Sequence, residues 1–263
     1  MMIYAVHERD NVSVTFSHAL KIAYASGGNL EIVDVRKKEL HDDVRVRRVL
    51  EKWGILPRDS QQEDVAKTGL HIKKIVIQGD VRKEIGKRLM RHRRDVMVIG
   101  TEKRNGFPQL FGNELVKYLS DRMRQTTLFV PADAKPFVCE QTGDVSLKRI
   151  LVPVAETPSC EPSFKMLQRL TGIFPEQQVE VIGLHFGQTF PFVSASSLEG
   201  FVWTELLSES FSPSAILKVA AEQEVDLIAM STHGRSTLTK RIIGSTTEQV
   251  LRHAPCPVLS VVV

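Results

Sequence analysis

The chain alternates two kinds of hydrophobic pattern. Short apolar runs of strand length are Met2–Val6, Leu30–Val35, Ile72–Ile77, Val96–Ile99 and Leu128–Val130. Between them lie stretches with apolar residues three and four apart, the period of one helical face. Val14, Phe16, Ala19, Leu20, Ile22 and Ala23 mark the first, stopped by Gly27-Gly28. Val44, Val46, Val49, Leu50 and Trp53 mark a helix over His41–Trp53, and Ile85, Leu89 and Met90 mark one over Val81–His92. Asn113 is a natural N-cap for a further helix running to Arg124. Pro57–Lys67 is polar and reads as a loop or a connecting segment. Val96–Ile99 is apolar throughout, as a central parallel strand covered on both faces should be. Strands alternating with helices predict an α/β fold with a doubly wound parallel sheet.

Pro131–Ser146, with Pro131, Pro136 and Gly143, reads as a linker, after which the plan restarts. Ile150–Glu156 matches Met2–Glu8. A short helix over Phe164–Leu170, a strand over Val179–His185, a loop over Gly187–Gly200 and a strand within Phe201–Phe211 follow. A helix starts at Ser212-Pro213, with proline in its first turn, and runs to about Glu222. Ile85 to Ile216, Asp95 to Asp226 and Gly100 to Ser231 are each 131 residues apart, and Gly112 to Gly244 is 132. A nearly constant offset through helix, strand and loop predicts a duplicated domain, with boundaries at 1–135 and 147–263.

The chemistry-bearing stretch is Asp226–Arg252. A buried-strand run, Leu227–Met230, ends at Ser231-Thr-His-Gly234, and nine residues later Gly244-Ser245 opens a helical pattern. Glycines let backbone approach an anion, and amides at a helix N-terminus point at it. This Ser231-x2-Gly234-x9-Gly244-Ser245 pattern resembles the Gly-x2-Gly-x9-Gly-Ser/Thr loop of the universal stress protein family, with serine in place of the first glycine. The resemblance extends over nearly the whole chain and is most specific in residues 212–263. It implies two tandem domains, each with a five-stranded parallel sheet, packed as a pseudo-dimer through their last strands. Val258–Val263 would otherwise form an exposed apolar edge. It also implies an adenine nucleotide (ATP, ADP or AMP, with magnesium as its companion ion) at the C-terminal domain's switch point. The implied contacts are Pro153, Val154, Ala155 and Phe186 at the ends of the first two strands of that domain, Met230 and Ser231 at the end of the fourth, His233, Gly234 and Arg235 in the loop, and Gly244, Ser245 and Thr246 at the following helix.

Each residue has a plainer reading as well. Ser245 and Glu248 form a Ser-x-x-Glu capping box, which competes for the amides a phosphate would take. Arg235 suits a phosphate or solvent equally. His233 reads as a hydrogen-bonded loop histidine rather than a base. Two departures weaken nucleotide binding. Ala155 stands where relatives that bind nucleotide carry aspartate, leaving backbone groups of Val154 for the base or ribose. Ser231 replaces a glycine and tolerates positive φ less well, so a displaced loop is expected. The N-terminal domain departs further. It has Gly100-Thr-Glu-Lys103, then a spacer of eight residues containing Phe107, Pro108, Leu110 and Phe111, before Gly112-Asn113. That site is expected to be empty, its loop packing against the other domain or a partner.

Charge divides the chain. Residues 1–140 hold 26 Lys and Arg against 19 Asp and Glu, a net of +7, whereas 141–263 hold 9 against 12, a net of −3. The cluster Arg82, Lys83, Lys87, Arg88, Arg91, Arg93 and Arg94 reads as a solvated helix face, without the interleaved aromatics of a nucleic-acid platform. No apolar run approaches the roughly 20 residues that span a bilayer. Cys139, Cys160 and Cys256 have no ligand spacing and read as free thiols in a cytoplasmic protein. No nucleophile–base pair or carboxylate dyad stands out, so at most slow ATP hydrolysis is expected. The alternative is a family member without nucleotide that serves as a protein-interaction module, as a monomer with internal pseudo-symmetry or as a homodimer.

Overall fold

A computed structural model describes residues 2–7, 12–34, 46–76, 96–104, 107–110, 125–209, 212–232 and 245–263. In the first half these form β1 (Met2–His7), α1 (Val12–Ala25), β2 (Asn29–Asp34), α2 (Val46–Lys52), α3 (Gln62–Lys67), β3 (His71–Val76), β4 (Val96–Arg104), β5 (Phe107–Leu110) and β6 (Thr127–Pro131). The second half comprises β7 (Arg149–Val154), α4 (Glu161–Thr171), β8 (Glu180–Phe186), α5 (Ala195–Leu198), β9 (Val202–Ser208), α6 (Pro213–Glu222), β10 (Leu227–Thr232), α7 (Ser245–His253) and β11 (Val258–Val262).

All the described strands join one sheet, ordered β3-β2-β1-β4-β6-β11-β10-β7-β8-β9, with β5 on β4. Read outward from the middle, each half has the same order. Neighbours within a half are parallel, apart from the hairpin of β4 and β5. The halves meet where β6 and β11 pair antiparallel, with Phe129 opposite Val258, Leu128 opposite Leu259 and Thr127 opposite Ser260. The expected pseudo-dimer through the last strands is therefore present, and the apolar edge of β11 is covered.

Parallel strands bury both faces, and the core lies on both. One face packs Phe16, Leu20, Phe164 and Leu167 of α1 and α4 over Val98, Val152 and Ala229. The other packs Ile216, Ala220, Val250 and Leu251 of α6 and α7 over Leu151, Ile228 and Val258. Ser212 caps α6 by accepting from the Ala215 amide at 3.1 Å, with Pro213 in the first turn as expected. Among the described residues no helix is long and apolar enough to cross a membrane.

Several local expectations change. The polar stretch before β3 contains α3, closed by a capping box between Gln61 and Asp64. The apolar segment after β4 is not a loop, since Phe107–Leu110 pairs antiparallel with β4. The helix after β7 begins three residues early, at Glu161, because Pro162 fits a first turn, where an amide would have no acceptor within the helix. The loop after β8 carries α5. The expected helices over 81–92 and 113–124, and with them the basic cluster, lie outside the described residues.

The linker is itself part of the core. It forms a packed strap in which Phe137, Val138 and Leu147 are fully buried. Phe137 meets the His18 ring edge-on at 4.4 Å. His18 donates from Nδ1 to the Val14 carbonyl at 2.7 Å, and its Nε2 accepts the Val138 amide at 3.4 Å. Trp53 donates to the Glu140 carbonyl at 3.0 Å. Gly143, at φ +72°, passes so close to that indole that a Cβ would lie 2.5 Å from it. At the strap's other side the Lys135 ammonium lies 3.2 Å from the buried Asp226, which also accepts the Lys148 and Arg149 amides at 2.8 and 3.1 Å. The strap thus ties helix α1 of one half to the base of β10 in the other.

Burial lowers the pKa of His18 from 6.5 to about 4, so folding holds it neutral. Between these values the unfolded chain takes up a proton that the folded chain refuses. The associated stability, about 3 kcal/mol, is complete above pH 6.5, declines as pH falls, and levels off below about 4. Urea unfolding at pH 7, 5.5 and 4.5 should show this slope in the native chain, and His18→Gln should lack it.

Candidate functional site

In an open parallel sheet the ligand crevice lies beyond the carboxyl ends of the strands where their order reverses. For the second half that point is between β7 and β10. Their ladder holds two pairs, Leu227 with Ile150 and Ile228 with Leu151, and then stops. The equivalent ladder between β1 and β4 runs through four, from Ile3 with Val96 to Val6 with Ile99. Pro153, which has no amide hydrogen, falls in the part of β7 that has left the ladder. Hydrogen-bonded pairing of the two strands therefore ends short of their carboxyl ends. Around these ends, Ala155 is exposed, and Pro153, Phe186, Ser231 and Thr232 are half-buried. Val154 and Met230 are buried and belong to opposite core layers.

Ser231 is not strained. It sits in β10 opposite Val261, and Glu224 is the one non-glycine with positive φ among the described residues. Its hydroxyl lies 2.8 Å from that of Ser163, which is fully buried in the first turn of α4. Ser231 thus makes a specific contact, and the loop expected to be displaced after it lies outside the described residues. The first half explains the substitution. Thr15 of α1 is the counterpart of Ser163, and Gly100 of β4 is the counterpart of Ser231. A Cβ on Gly100 would lie 2.5 Å from the Thr15 hydroxyl. Threonine against glycine in one half is serine against serine in the other. Next along, the Thr232 hydroxyl reaches the Ser260 hydroxyl and the Val261 carbonyl, each at 3.4 Å.

The Val154 carbonyl, expected to face a ligand, accepts a hydrogen bond from His185 Nδ1 at 2.9 Å. His185 stands beside Val154 in the β7–β8 ladder, and its ring meets Phe190 at 5.8 Å. In the first half the equivalent position, beside Val6, is Val33. The sequence reading missed both His185 and Ser163. His185 looked like one more residue of a strand, and the signal for it was a polar ring placed just ahead of Gly187. Thr246 is half-buried next to Ser245, which opens α7. Glu248, the other member of the expected capping box, pairs with Arg252 one turn on. His233, Gly234, Arg235 and Gly244 lie outside the described residues. The three cysteines are free, and burial pushes the Cys256 thiol up to about 12, far from any nucleophilic role.

Residues 198–261, which run from α5 to β11 and contain the whole spaced pattern, match the universal stress protein family. Over this segment the chain is similar to the universal stress protein family. A putative universal stress protein of Staphylococcus haemolyticus is 44% identical over 64 residues, covering 24% of this chain and 39% of the relative. A universal stress protein of Methanocaldococcus jannaschii is 38% identical over 60 residues, covering 23% of this chain and 35% of the relative. The chain thus spans about two fifths or less of these curated relatives. A universal stress protein from Archaeoglobus fulgidus shares the fold over 98% of this chain and 97% of its own, with a TM-score of 0.65 at 16% identity. A putative universal stress protein from Pseudomonas aeruginosa does so over 99% and 92%, with a TM-score of 0.65 at 15% identity.

The paired substitutions yield a test. Gly100→Ser should cost about 1–3 kcal/mol through its clash with Thr15, whereas Ser231→Gly should cost less than about 1.5 kcal/mol. Adding Thr15→Ser to Gly100→Ser should recover much of the loss. Chemical denaturation of the three variants measures the coupling.

Proposed function

We propose that the chain is a tandem universal stress protein, with domains at 1–135 and 147–263, whose second domain binds an adenine nucleotide as a regulatory ligand in the cytoplasm. The early end of the β7–β10 ladder at the switch point, directly before the glycine-and-serine loop, carries this reading. Pro153, Ala155, Ser231 and Thr232, small or polar and not fully buried, stand at the ends of these strands and would leave room for a base and ribose. The loop through His233, Gly234, Arg235 and Gly244 and the first amides of α7 would take the phosphates, because helix N-termini carry unpaired N–H groups and the positive end of the dipole. Magnesium would enter with those phosphates. Binding, rather than turnover, is the activity proposed.

A second reading, an interaction module without nucleotide, draws on Ala155 and on the existing partners of the Val154 carbonyl and the Ser231 hydroxyl. The two readings part on one experiment. The protein purified without added nucleotide is denatured, the released small molecules are weighed, and ATP, ADP and AMP are titrated calorimetrically. One adenine nucleotide per chain, lost in a folded Gly244→Leu variant, is the expected outcome. No release and no heat would establish the interaction module instead, and two per chain would show that the first domain also binds.

A further inference from the structure

We propose that His185 is a specificity-determining residue of the second-domain crevice and reads the 6-amino group of an adenine base. The inference rests on the nucleotide reading above.

The geometry places a hydrogen on one ring nitrogen. Nδ1 lies 2.9 Å from the Val154 carbonyl oxygen, which can only accept. Nδ1 therefore carries the hydrogen, and in the neutral imidazole Nε2 is left as an acceptor with its lone pair in the ring plane. His185 is half-buried and sits at the penultimate position of β8, beside the strand whose end lines the crevice. Its partners from neighbouring elements are the Val154 carbonyl and the Phe190 ring, which hold the imidazole in one orientation.

A second observation concerns the space beside Nε2. Gly187 follows two residues later, on the same side of the chain. A Cβ there would lie 2.7 Å from Nε2 and 3.2 Å from Cδ2. Gly187 does not adopt a positive φ, so backbone conformation does not demand a glycine. What the glycine provides is space beside Nε2, at an exposed residue just past the carboxyl end of β8, where such folds place their ligands. The first half has Val33 at this position, with no polar atom to offer. The asymmetry follows the same direction as the loop pattern, which is near-complete only in the second half.

An in-plane acceptor selects a donor. The exocyclic amine of adenine is one, and a purine with hydrogen at position 6 lacks it. Specificity built on a hydrogen bond exceeds that built on fit, because the wrong ligand leaves a polar group unpaired.

The test uses the full chain, with ATP and purine riboside 5′-triphosphate, which lacks the 6-amino group, as calorimetric probes. The wild type should prefer ATP by about tenfold, the worth of one such bond. His185→Val, which copies the first half, should erase the preference by weakening ATP and leaving the analogue nearly unchanged. Gly187→Ala keeps the histidine but puts a methyl group 2.7 Å from where Nε2 now lies, so the ring must shift, and the preference should be erased as well. Should His185→Val weaken both probes equally, or should the wild type fail to discriminate, His185 is a packing residue and the inference falls while nucleotide binding stands. If neither probe binds the folded wild type, the nucleotide reading falls and takes this inference with it.

Discussion

The architecture depends on one ladder, the antiparallel pairing of β6 with β11. Each half of the chain ends in an apolar strand that would be an open edge on its own. Unpaired amides and carbonyls along such an edge invite association with other chains. Joining the two edges satisfies both and buries Leu128, Phe129, Val258 and Leu259 in the middle of the sheet. Because the junction is antiparallel, the carboxyl ends of the two halves point to opposite edges of the sheet. The two switch points therefore face apart, and each is free to change without disturbing the other. The strap supports this arrangement through Phe137 and His18 on one side and Lys135 and Asp226 on the other.

The halves have used that freedom. In the first, β4 extends past the switch point and doubles back as β5, and Thr15 closes over Gly100. In the second, the β7–β10 ladder ends early, a serine pair replaces threonine against glycine, and an imidazole replaces Val33 at the end of β8. These exchanges are coupled: a serine at position 100 has no room while Thr15 is present. A substitution that looks like loss of a glycine in one half is thus an adjustment between α4 and β10.

The repeat was legible because its signals are local or periodic. Apolar runs, the offset of 131 residues and the Ser212-Pro213 helix start need no knowledge of distant partners. The strap was not legible. Phe137 and Val138 stand among prolines and polar residues, and contacts distant along the chain, such as the His18 ring 120 residues from Val138, make them core. The hairpin at β5 was hidden because Pro108 argues against a strand, although an edge position tolerates it. For the candidate site, spacing singled out the end of β10 and the start of α7. The partners of Ser231 and Val154 come from α4 and β8, and no pattern along the chain records those contacts.

The most direct test of the second-half crevice is amide hydrogen exchange with and without saturating ATP. Nucleotide bound between β7 and β10 should slow exchange at residues 152–156, 229–232 and the first turn of α7, and leave the ends of β1 and β4 unchanged. Protection at the first-half strand ends, or no change at either place, would contradict the assignment of the site to the second half.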